Sequence, residues 1–177
     1  LWYKRFISKY ATDLFACGKD AGDWMFGGVP FQTINNAIDV AAYTYDPAKR
    51  QKVRRQLGLE NEFTIGHVGR FNQPKNHPFL LDIFAALLKK EPNAVLLLAG
   101  GGEGMPKIQA KARTLGIAEH VRFLGVRSDV ADLMQAMDVF VFPSLYEGLP
   151  VTMVEAQAAG LPCLISDKVP PECILTE

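Results

Sequence analysis

The sequence predicts an α/β fold with a Rossmann-like parallel sheet that carries helices on both faces. Two observations support this prediction. Strand-like and helix-like segments alternate strictly from about residue 60 onward, and the strand-like segments are continuously apolar. Continuous apolar runs are typical of strands buried on both faces of a parallel sheet. The chain of 177 residues is long enough for one such core and a fragment of another.

Each element has a local signal. Short apolar runs bounded by turn residues predict strands at 12–17, 31–34, 63–68, 94–99, 121–124, 139–142 and 163–165. Segments between them predict helices at 1–9, 46–58, 76–90, 103–115, 129–137 and 150–159. Asp46 followed by Pro47 is a helix-start signal, Asn76 is predicted to cap the next helix, and Gly160 is predicted to end the last one.

A domain boundary is predicted near residues 35–45. The segment before it has helix, strand and turn signals but lacks partners for a core of its own. We therefore assign residues 1–39 to the tail of a preceding domain and its linker, and residues 40–177 to the sheet domain. The start without Met and the abrupt ending lead us to expect a piece of a longer protein.

Composition argues against several classes of protein. Hydrophobic residues make up 49% and charged residues 21%, which is ordinary for a soluble globular domain. The formal net charge is zero, so no global field attracts nucleic acid. Cys17, Cys163 and Cys173 have no Cys-x-x-Cys spacing, which favours reduced thiols in the cytoplasm over a disulfide framework. No apolar run approaches the roughly 20 residues needed to span a bilayer.

Glu147 and Glu155 form the most informative pair in the chain. Seven residues separate them, with a predicted strand before the first and a predicted helix around the second. Loops between a strand and a helix lie at the carboxyl edge of a parallel sheet, where open α/β folds bind ligands. The ordinary interpretation is a loop charge and an exposed helix residue. The ligand interpretation is favoured because Glu155 lies between Val154 and Ala156 in an otherwise apolar helix.

The segment Gly66-His-Val-Gly-Arg-Phe-Asn-Gln-Pro-Lys-Asn76 has the features of a diphosphate site. A strand ends here, glycines let a backbone approach a ligand, and two cations precede a helix N-terminus. Guanidinium and ammonium groups neutralise a diphosphate, and free N–H groups favour an anion. The candidate contacts are Gly69, Arg70, Asn72 and Lys75. Taken alone, this segment fits surface loop charges better, and the two glutamates reverse that preference.

Two further turns follow predicted strands at the same sheet edge. The turn Ala99-Gly-Gly-Gly-Glu-Gly104 contains the candidate Gly101, but position 105 is Met where a dinucleotide fingerprint requires Gly. A flexible turn and a ligand-contacting loop both fit this segment. In the second turn, backbone groups of Val126 are placed to contact a nucleobase. Arg127 fits a ligand contact and a solvated charge equally well.

The chain lacks the signatures of several other enzymes. It has no His-Glu-x-x-His, no P-loop and no Gly-x-Ser-x-Gly. It also has no Asp-x-Asp, the pair with which metal-dependent sugar transferases often hold a diphosphate through a divalent ion. No metal site is predicted, because Arg70 and Lys75 can replace such an ion.

The spacing of Glu147 and Glu155 resembles the Glu-x7-Glu motif of retaining, nucleotide-sugar-dependent glycosyltransferases of family 4. Residues 60–172 are similar to the donor-binding, C-terminal domain of the GT-B fold, and residues 1–39 to the end of the acceptor-binding domain and its linker. The details of 66–77 and 146–162 resemble bacterial members that build capsular polysaccharide or exopolysaccharide. The resemblance implies a truncated GT-B domain, without most of the first domain and without the final helices.

The resemblance also implies residue roles. Arg70 and Lys75 would hold the donor diphosphate and stabilise the leaving group, and Glu147 would contact the donor sugar, which makes these three the expected catalytic residues. Glu155 would bind the ribose hydroxyls, which suits a carboxylate because it accepts hydrogen bonds from a vicinal diol. The remaining expected donor contacts are Gly69, Asn72, Gly101, Val126, Arg127, Gly148 and Leu149. No metal or other cofactor is implied.

The resemblance implies that the parent protein transfers a hexose from a nucleotide sugar to a glycan or lipid-linked acceptor with retention. The acceptor would be bound by the missing N-terminal domain, so we expect the present chain to bind the donor but to be inactive alone. The expected location is the cytoplasm, and peripheral contact with the inner membrane surface stays open. Two alternatives stay open: a nucleotide-sugar epimerase on the same architecture, and a non-catalytic nucleotide-binding module.

Two other features have ordinary explanations. The basic run Lys49-Arg-Gln-Lys-Val-Arg-Arg55 fits a solvated helix face better than contact with an anionic membrane surface. His67 ends a predicted strand beside the diphosphate segment, and a structural role is favoured for it over a role in the site.

Overall fold

The computed structural model describes residues 4–175, which form a parallel α/β domain preceded by a smaller segment. The strands are β1 (Phe15–Ala16), β2 (Gln32–Thr33), β3 (Thr64–Val68), β4 (Val95–Ala99), β5 (Val121–Gly125), β6 (Val139–Phe142) and β7 (Cys163–Ile165). The helices are α1 (Lys4–Tyr10), α2 (Lys19–Phe26), α3 (Val40–Tyr43), α4 (Pro47–Gln56), α5 (His77–Leu88), α6 (Met105–Thr114), α7 (Val130–Gln135) and α8 (Val151–Ala158). Within this part of the chain, each helix is too short or too polar to span a bilayer.

The large sheet has five parallel strands in the order β5-β4-β3-β6-β7. The chain builds outward from β3 in one direction, then crosses back to add β6 and β7 on the other side. In open α/β sheets, ligands bind where the strand order reverses, at the carboxyl ends of the strands. This switch point lies between β3 and β6, so the loops after these two strands flank it.

The core lies on both faces of the sheet, as the continuous apolar strands predicted. Strands β3 and β4 are buried along their whole length. On β4, Leu97 belongs to one hydrophobic cluster, whereas Leu96 and Leu98 belong to another. Successive residues of a strand point to opposite faces, so the two clusters lie on opposite sides of the sheet. The sheet is therefore a rigid platform for the loops at its carboxyl edge.

The basic helix α4 is fastened to the domain by two of its arginines. Arg50 donates to the carbonyl of Met137 at 2.7 Å and pairs with Asp138 at 2.6 Å. Arg54 is buried and donates to the carbonyl of Glu62 at 2.8 Å. The expectation of a solvated helix face is wrong for these two side chains, because they satisfy carbonyl groups around the amino-terminal ends of β3 and β6.

Two helices in the structure, α2 and α3, were not predicted. Helix α2 has no side-chain cap at its N-terminus and contains Gly22, a weak helix former. That glycine is required by packing, because an added Cβ would lie 2.1 Å from the ring of Phe31. Helix α3 has only four residues, and Asp39 caps it by accepting a hydrogen bond from the N–H of Ala41 at 3.1 Å.

Asn76 is the N-cap residue of α5, as predicted, but its side chain does not cap the helix. The residue adopts a left-handed conformation with φ 52°, and its side chain makes no capping hydrogen bond to α5. Its amide instead donates to the carbonyl of Pro143 at 3.1 Å. Asn76 therefore ties the loop after β3 to the loop after β6, across the switch point.

Candidate functional site

An open cleft of about 430 Å³ lies at the carboxyl ends of β3, β4 and β5. It collects side chains and backbone from the three turns that follow these strands. Five of the predicted contacts line it, namely Gly69, Arg70, Gly101, Val126 and Arg127. The structure thus brings together residues that are up to 58 positions apart in the sequence, from 69 to 127.

The floor of the cleft is made of backbone. Gly100 has φ +145°, and a Cβ on it would lie 2.0 Å from the carbonyl oxygen of Gly69, so only glycine allows the two turns to pack together. The backbone N–H groups of Arg70, Gly101 and Gly102 donate no hydrogen bond to any residue among 4–175. Unpaired N–H groups in adjacent turns make a concave site that favours anions.

The two arginines at the cleft differ in their partners. Arg70 is exposed, and its guanidinium forms no ion pair or hydrogen bond with the described residues. Arg127 donates to both carboxylate oxygens of Asp129, at 2.8 and 2.6 Å. This hydrogen-bonded pair raises the pKa of Arg127 and lowers that of Asp129. Arg70 therefore offers an uncompensated positive charge at the cleft, and Arg127 does not.

Lys75 and Glu147 form an ion pair beside the cleft. The Lys75 Nζ lies 2.8 Å from Glu147 Oε1, and the two side chains are only 17% and 13% exposed. The same ammonium lies 4.5 Å from the ring centroid of Phe142. A Cβ on Gly69 would lie 3.4 Å from the Lys75 side chain, which places the pair next to the backbone of the cleft. The cation predicted for the diphosphate and the carboxylate predicted for the sugar are thus paired with each other, which sequence reasoning missed.

The loop after Glu147 exposes backbone donors and contacts the N-terminal segment. The N–H groups of Gly148 and Leu149 donate to no residue among 4–175. The carbonyl of Leu149 accepts a hydrogen bond from the Asn36 side chain at 3.0 Å. A Cβ on Gly148 would lie 3.6 Å from both Cys17 Sγ and Ala21 Cβ. The predicted tail of the preceding domain therefore packs directly on this loop.

Glu155 is held by a tyrosine that sequence reasoning did not single out. The phenol of Tyr43 donates to Glu155 Oε1 at 2.6 Å. Burial, together with the Glu155 carboxylate, raises the pKa of the Tyr43 phenol. The two residues are 112 positions apart, and no local pattern in the sequence signals such a contact.

His67 is a core residue behind the cleft. The carbonyl of Val141 only accepts hydrogen bonds, so His67 Nδ1 carries the proton and donates to it at 2.8 Å. Burial and the neighbouring His77 lower the pKa of His67 to about 3. Burial and the charge of Lys75 lower the pKa of His77 to about 4. Both rings are therefore neutral near pH 7.

Asn72 lies away from the other predicted contacts. It lines a separate depression of about 590 Å³, together with Gln73, Glu103 and Lys107. The turn Gln73–Lys75 lies between Asn72 and the Lys75 side chain, so Lys75 reaches Glu147 whereas Asn72 lines the separate depression.

The fold and the cleft define a Rossmann-like domain that places a free guanidinium and unpaired N–H groups at the carboxyl edge of its sheet, beside the switch point. This sheet matches the domains of GT-B glycosyltransferases, which confirms the predicted fold class. The family model described as "Glycosyl transferases group 1" matches residues 49–176. The chain therefore belongs to the group 1 glycosyl transferases.

Relatives of this chain include named sugar transferases. EpsF of Bacillus subtilis (strain 168) is 42% identical over 176 residues, which cover 96% of this chain and 46% of EpsF. An Escherichia coli UDP-Gal:alpha-D-GlcNAc-diphosphoundecaprenol alpha-1,3-galactosyltransferase is 31% identical over 146 residues, covering 80% of this chain and 38% of the enzyme. The chain thus spans less than half the length of both relatives.

A solved structure has the same fold. Anabaena HepE, crystallised in complex with UDP-glucose, superposes with a TM-score of 0.86 at 26% identity. The match covers 98% of this chain and 50% of HepE.

Proposed function

We propose that this chain is the donor-binding, C-terminal half of a retaining glycosyltransferase, and that it binds a nucleotide sugar in the cleft between β3, β4 and β5. Residues 40–177 would form the donor domain, and residues 1–39 the tail of the acceptor domain with its linker. The observation that carries this proposal is the cleft itself, where the unpaired guanidinium of Arg70 lies beside unpaired N–H groups at the carboxyl edge of the sheet. The UDP-glucose complex of HepE, which shares the fold, supports it.

The chemistry of the cleft suggests where each part of the donor binds. The diphosphate would lie against Arg70 and the N–H group of Gly101, where it can accept strong charge-assisted hydrogen bonds. The base would lie near Val126, which is 82% exposed and free to be covered by a ligand. The ribose would lie toward Glu155, whose carboxylate can accept hydrogen bonds from a vicinal diol.

Lys75 and Glu147 would act at the bond that breaks. A bound diphosphate would compete with Glu147 for the Lys75 ammonium. When the ammonium binds the phosphate, the Glu147 carboxylate becomes free to contact the donor sugar. The ammonium would then stabilise negative charge as it develops on the leaving group. The N–H groups of Gly148 and Leu149 would hold sugar hydroxyls. Retention would proceed by front-side displacement, without a protein nucleophile.

We also propose that no divalent metal is needed, because the positive charges of Arg70 and Lys75 take its place. The acceptor would be a glycan or a lipid-linked glycan, bound by the rest of the parent protein. The parent protein would work on the cytoplasmic side of the membrane, in contact with the membrane surface. The galactosyltransferase relative, whose name contains a diphosphoundecaprenol acceptor, supports the lipid-linked class. The group 1 family does not favour the epimerase or the non-catalytic alternative.

Calorimetry on this chain tests the donor-binding proposal. We expect one of UDP, GDP or ADP to bind in the presence of EDTA, and we expect the binding isotherm to be the same after magnesium is added. Binding that requires magnesium would contradict the metal-free proposal. No binding of any nucleoside diphosphate would contradict the assignment of this chain as a donor domain.

A further inference from the structure

We propose that Tyr43 is a positioning residue, whose phenol orients the Glu155 carboxylate to accept hydrogen bonds from both ribose hydroxyls of the donor. This inference rests on the proposed function, since it takes Glu155 as the ribose ligand. It adds a residue from α3, at the start of the sheet domain, to the nucleotide site.

The hydrogen bond leaves the carboxylate free for a diol. Tyr43 donates to one oxygen of Glu155, Oε1, at 2.6 Å. A carboxylate has about four lone-pair sites, so Oε2 and the second lone pair of Oε1 can still accept two hydroxyls. Glu155 is half-buried on α8, at the side of the helix that faces α3. The phenol thus holds the carboxylate in one orientation before a ligand arrives, which lowers the entropic cost of binding.

Tyr43 is itself held in place by a buried glutamine. Gln135, at the end of α7, is only 2% exposed. Its side-chain amide donates to the carbonyl of Tyr43 at 3.0 Å, and its oxygen accepts from the N–H of Asp46 at 2.9 Å. The residues on both sides of the turn between α3 and α4 are therefore fixed to α7. A tyrosine held this firmly can impose its orientation on Glu155.

The phenol stays a donor under ordinary conditions. Burial and the nearby carboxylate raise the pKa of Tyr43, so it keeps its proton throughout the pH range of an enzyme assay. The tyrosine ring also packs against one of the two hydrophobic clusters. Tyr43→Phe keeps this ring and removes only the hydroxyl, so the variant is expected to fold.

The test compares a ribonucleotide with its dideoxy analogue. Calorimetry on this chain would measure the Kd of UDP and of 2′,3′-dideoxyuridine diphosphate, or of the GDP or ADP pair where that base binds better. We expect Tyr43→Phe to weaken the ribonucleotide about fivefold, the effect of one modest hydrogen bond, and to leave the dideoxy analogue unchanged. In a Glu155→Ala background, which leaves the phenol no side-chain oxygen to orient, Tyr43→Phe should have almost no further effect. The matched control is Tyr45→Phe, an exposed tyrosine two positions away, which should change neither Kd.

The outcomes separate this inference from the proposed function. Equal weakening of both ligands by Tyr43→Phe would indicate a purely structural tyrosine and overturn the positioning role. Unchanged or tighter ribonucleotide binding would overturn it too, because the phenol would then be idle or a competitor. In both cases wild-type binding of the diphosphate would leave the donor-binding proposal standing. A wild-type chain that binds no nucleotide would overturn the proposed function and this inference together.

Discussion

The two glutamates of the site are held by opposite kinds of partner. At the end proposed for the phosphates, Glu147 lies on a loop and pairs with the Lys75 ammonium at 2.8 Å. At the ribose end, Glu155 lies on a helix and accepts a hydrogen bond from the neutral Tyr43 phenol at 2.6 Å. An anionic ligand competes with a carboxylate for an ammonium, whereas a diol does not compete for a phenol. Under the proposed function, the comparison predicts that the ion pair at the phosphate end opens on binding, whereas the ribose end is already arranged.

The same difference ranks the two cations. Arg70 has no anionic partner among the described residues, whereas Lys75 already pairs with Glu147, so a bound phosphate would compete with that carboxylate for its ammonium. Breaking a partly buried ion pair is costly, since it leaves a carboxylate without its counter-charge. Arg70 should therefore contribute more to the ground-state affinity for a diphosphate, and Lys75 more to the step in which negative charge develops.

The largest effect is expected from Glu147→Gln. In the full-length parent, turnover should fall roughly a hundredfold or more, the loss typical of one preorganised electrostatic group in a transition state. In the present chain, the Kd for the nucleoside diphosphate should decrease several-fold, because Lys75 no longer has a competing anion. Steady-state kinetics and calorimetry measure the two quantities.

Glu155→Gln is the matched control for that variant. It removes the same charge from the proposed ribose end, where the carboxylate would accept hydrogen bonds from the hydroxyls. Glu155→Gln should therefore weaken binding of the nucleoside diphosphate, whereas Glu147→Gln should tighten it. Equal weakening of binding by both substitutions would contradict the proposed difference between the two glutamates. Turnover at the wild-type rate in Glu147→Gln would contradict it as well.

A smaller effect is expected from the two cations. Arg70→Ala should raise the Kd of the nucleoside diphosphate by about 10- to 100-fold, or about 1.5–3 kcal/mol for a lost charge-assisted contact. Lys75→Met should cost less than about tenfold, because the free energy of its ion pair with Glu147 offsets part of the lost phosphate contact. Calorimetry on the single variants, with the exposed Lys52→Ala as a control, gives both numbers.

A double variant sharpens this ranking. In a Glu147→Gln background, no carboxylate competes with the phosphate for Lys75. Lys75→Met should then reduce the affinity for the nucleoside diphosphate as much as Arg70→Ala does. An equal cost of Lys75→Met in both backgrounds would mean that the ion pair does not oppose binding.

Much of the sheet could be predicted from the sequence because its signals are local. Runs such as residues 94–99 are apolar at every position, which identifies a buried strand without knowledge of its neighbours. Helix α4 was predicted for the same reason, since Asp46 caps it by accepting hydrogen bonds from the N–H groups of Ala48 and Lys49. The predicted contacts in the cleft came together because the carboxyl ends of parallel strands share one edge.

The unpredicted parts depend on contacts between distant residues. Lys75 and Glu147 are 72 positions apart, and the pairing between them follows from the reversal of strand order between β3 and β6. The hydrogen bond from Asn76 to Pro143 crosses the same switch point, so the side chain of this N-cap residue bonds to a distant loop and not to its own helix. Helix α2 depends on the close approach of Gly22 to Phe31, which no local propensity contains.

A crystal structure of this chain with its nucleoside diphosphate would test most directly whether the phosphate end rearranges and the ribose end does not. We predict that Lys75 Nζ moves beyond the roughly 4 Å limit of an ion pair with Glu147 and into hydrogen-bond range of a phosphate oxygen. The bond between Tyr43 and Glu155 should stay at its present 2.6 Å, with ribose hydroxyls on the same carboxylate. A bound diphosphate with the 2.8 Å pair of Lys75 and Glu147 intact, or with the tyrosine displaced from Glu155, would contradict this account.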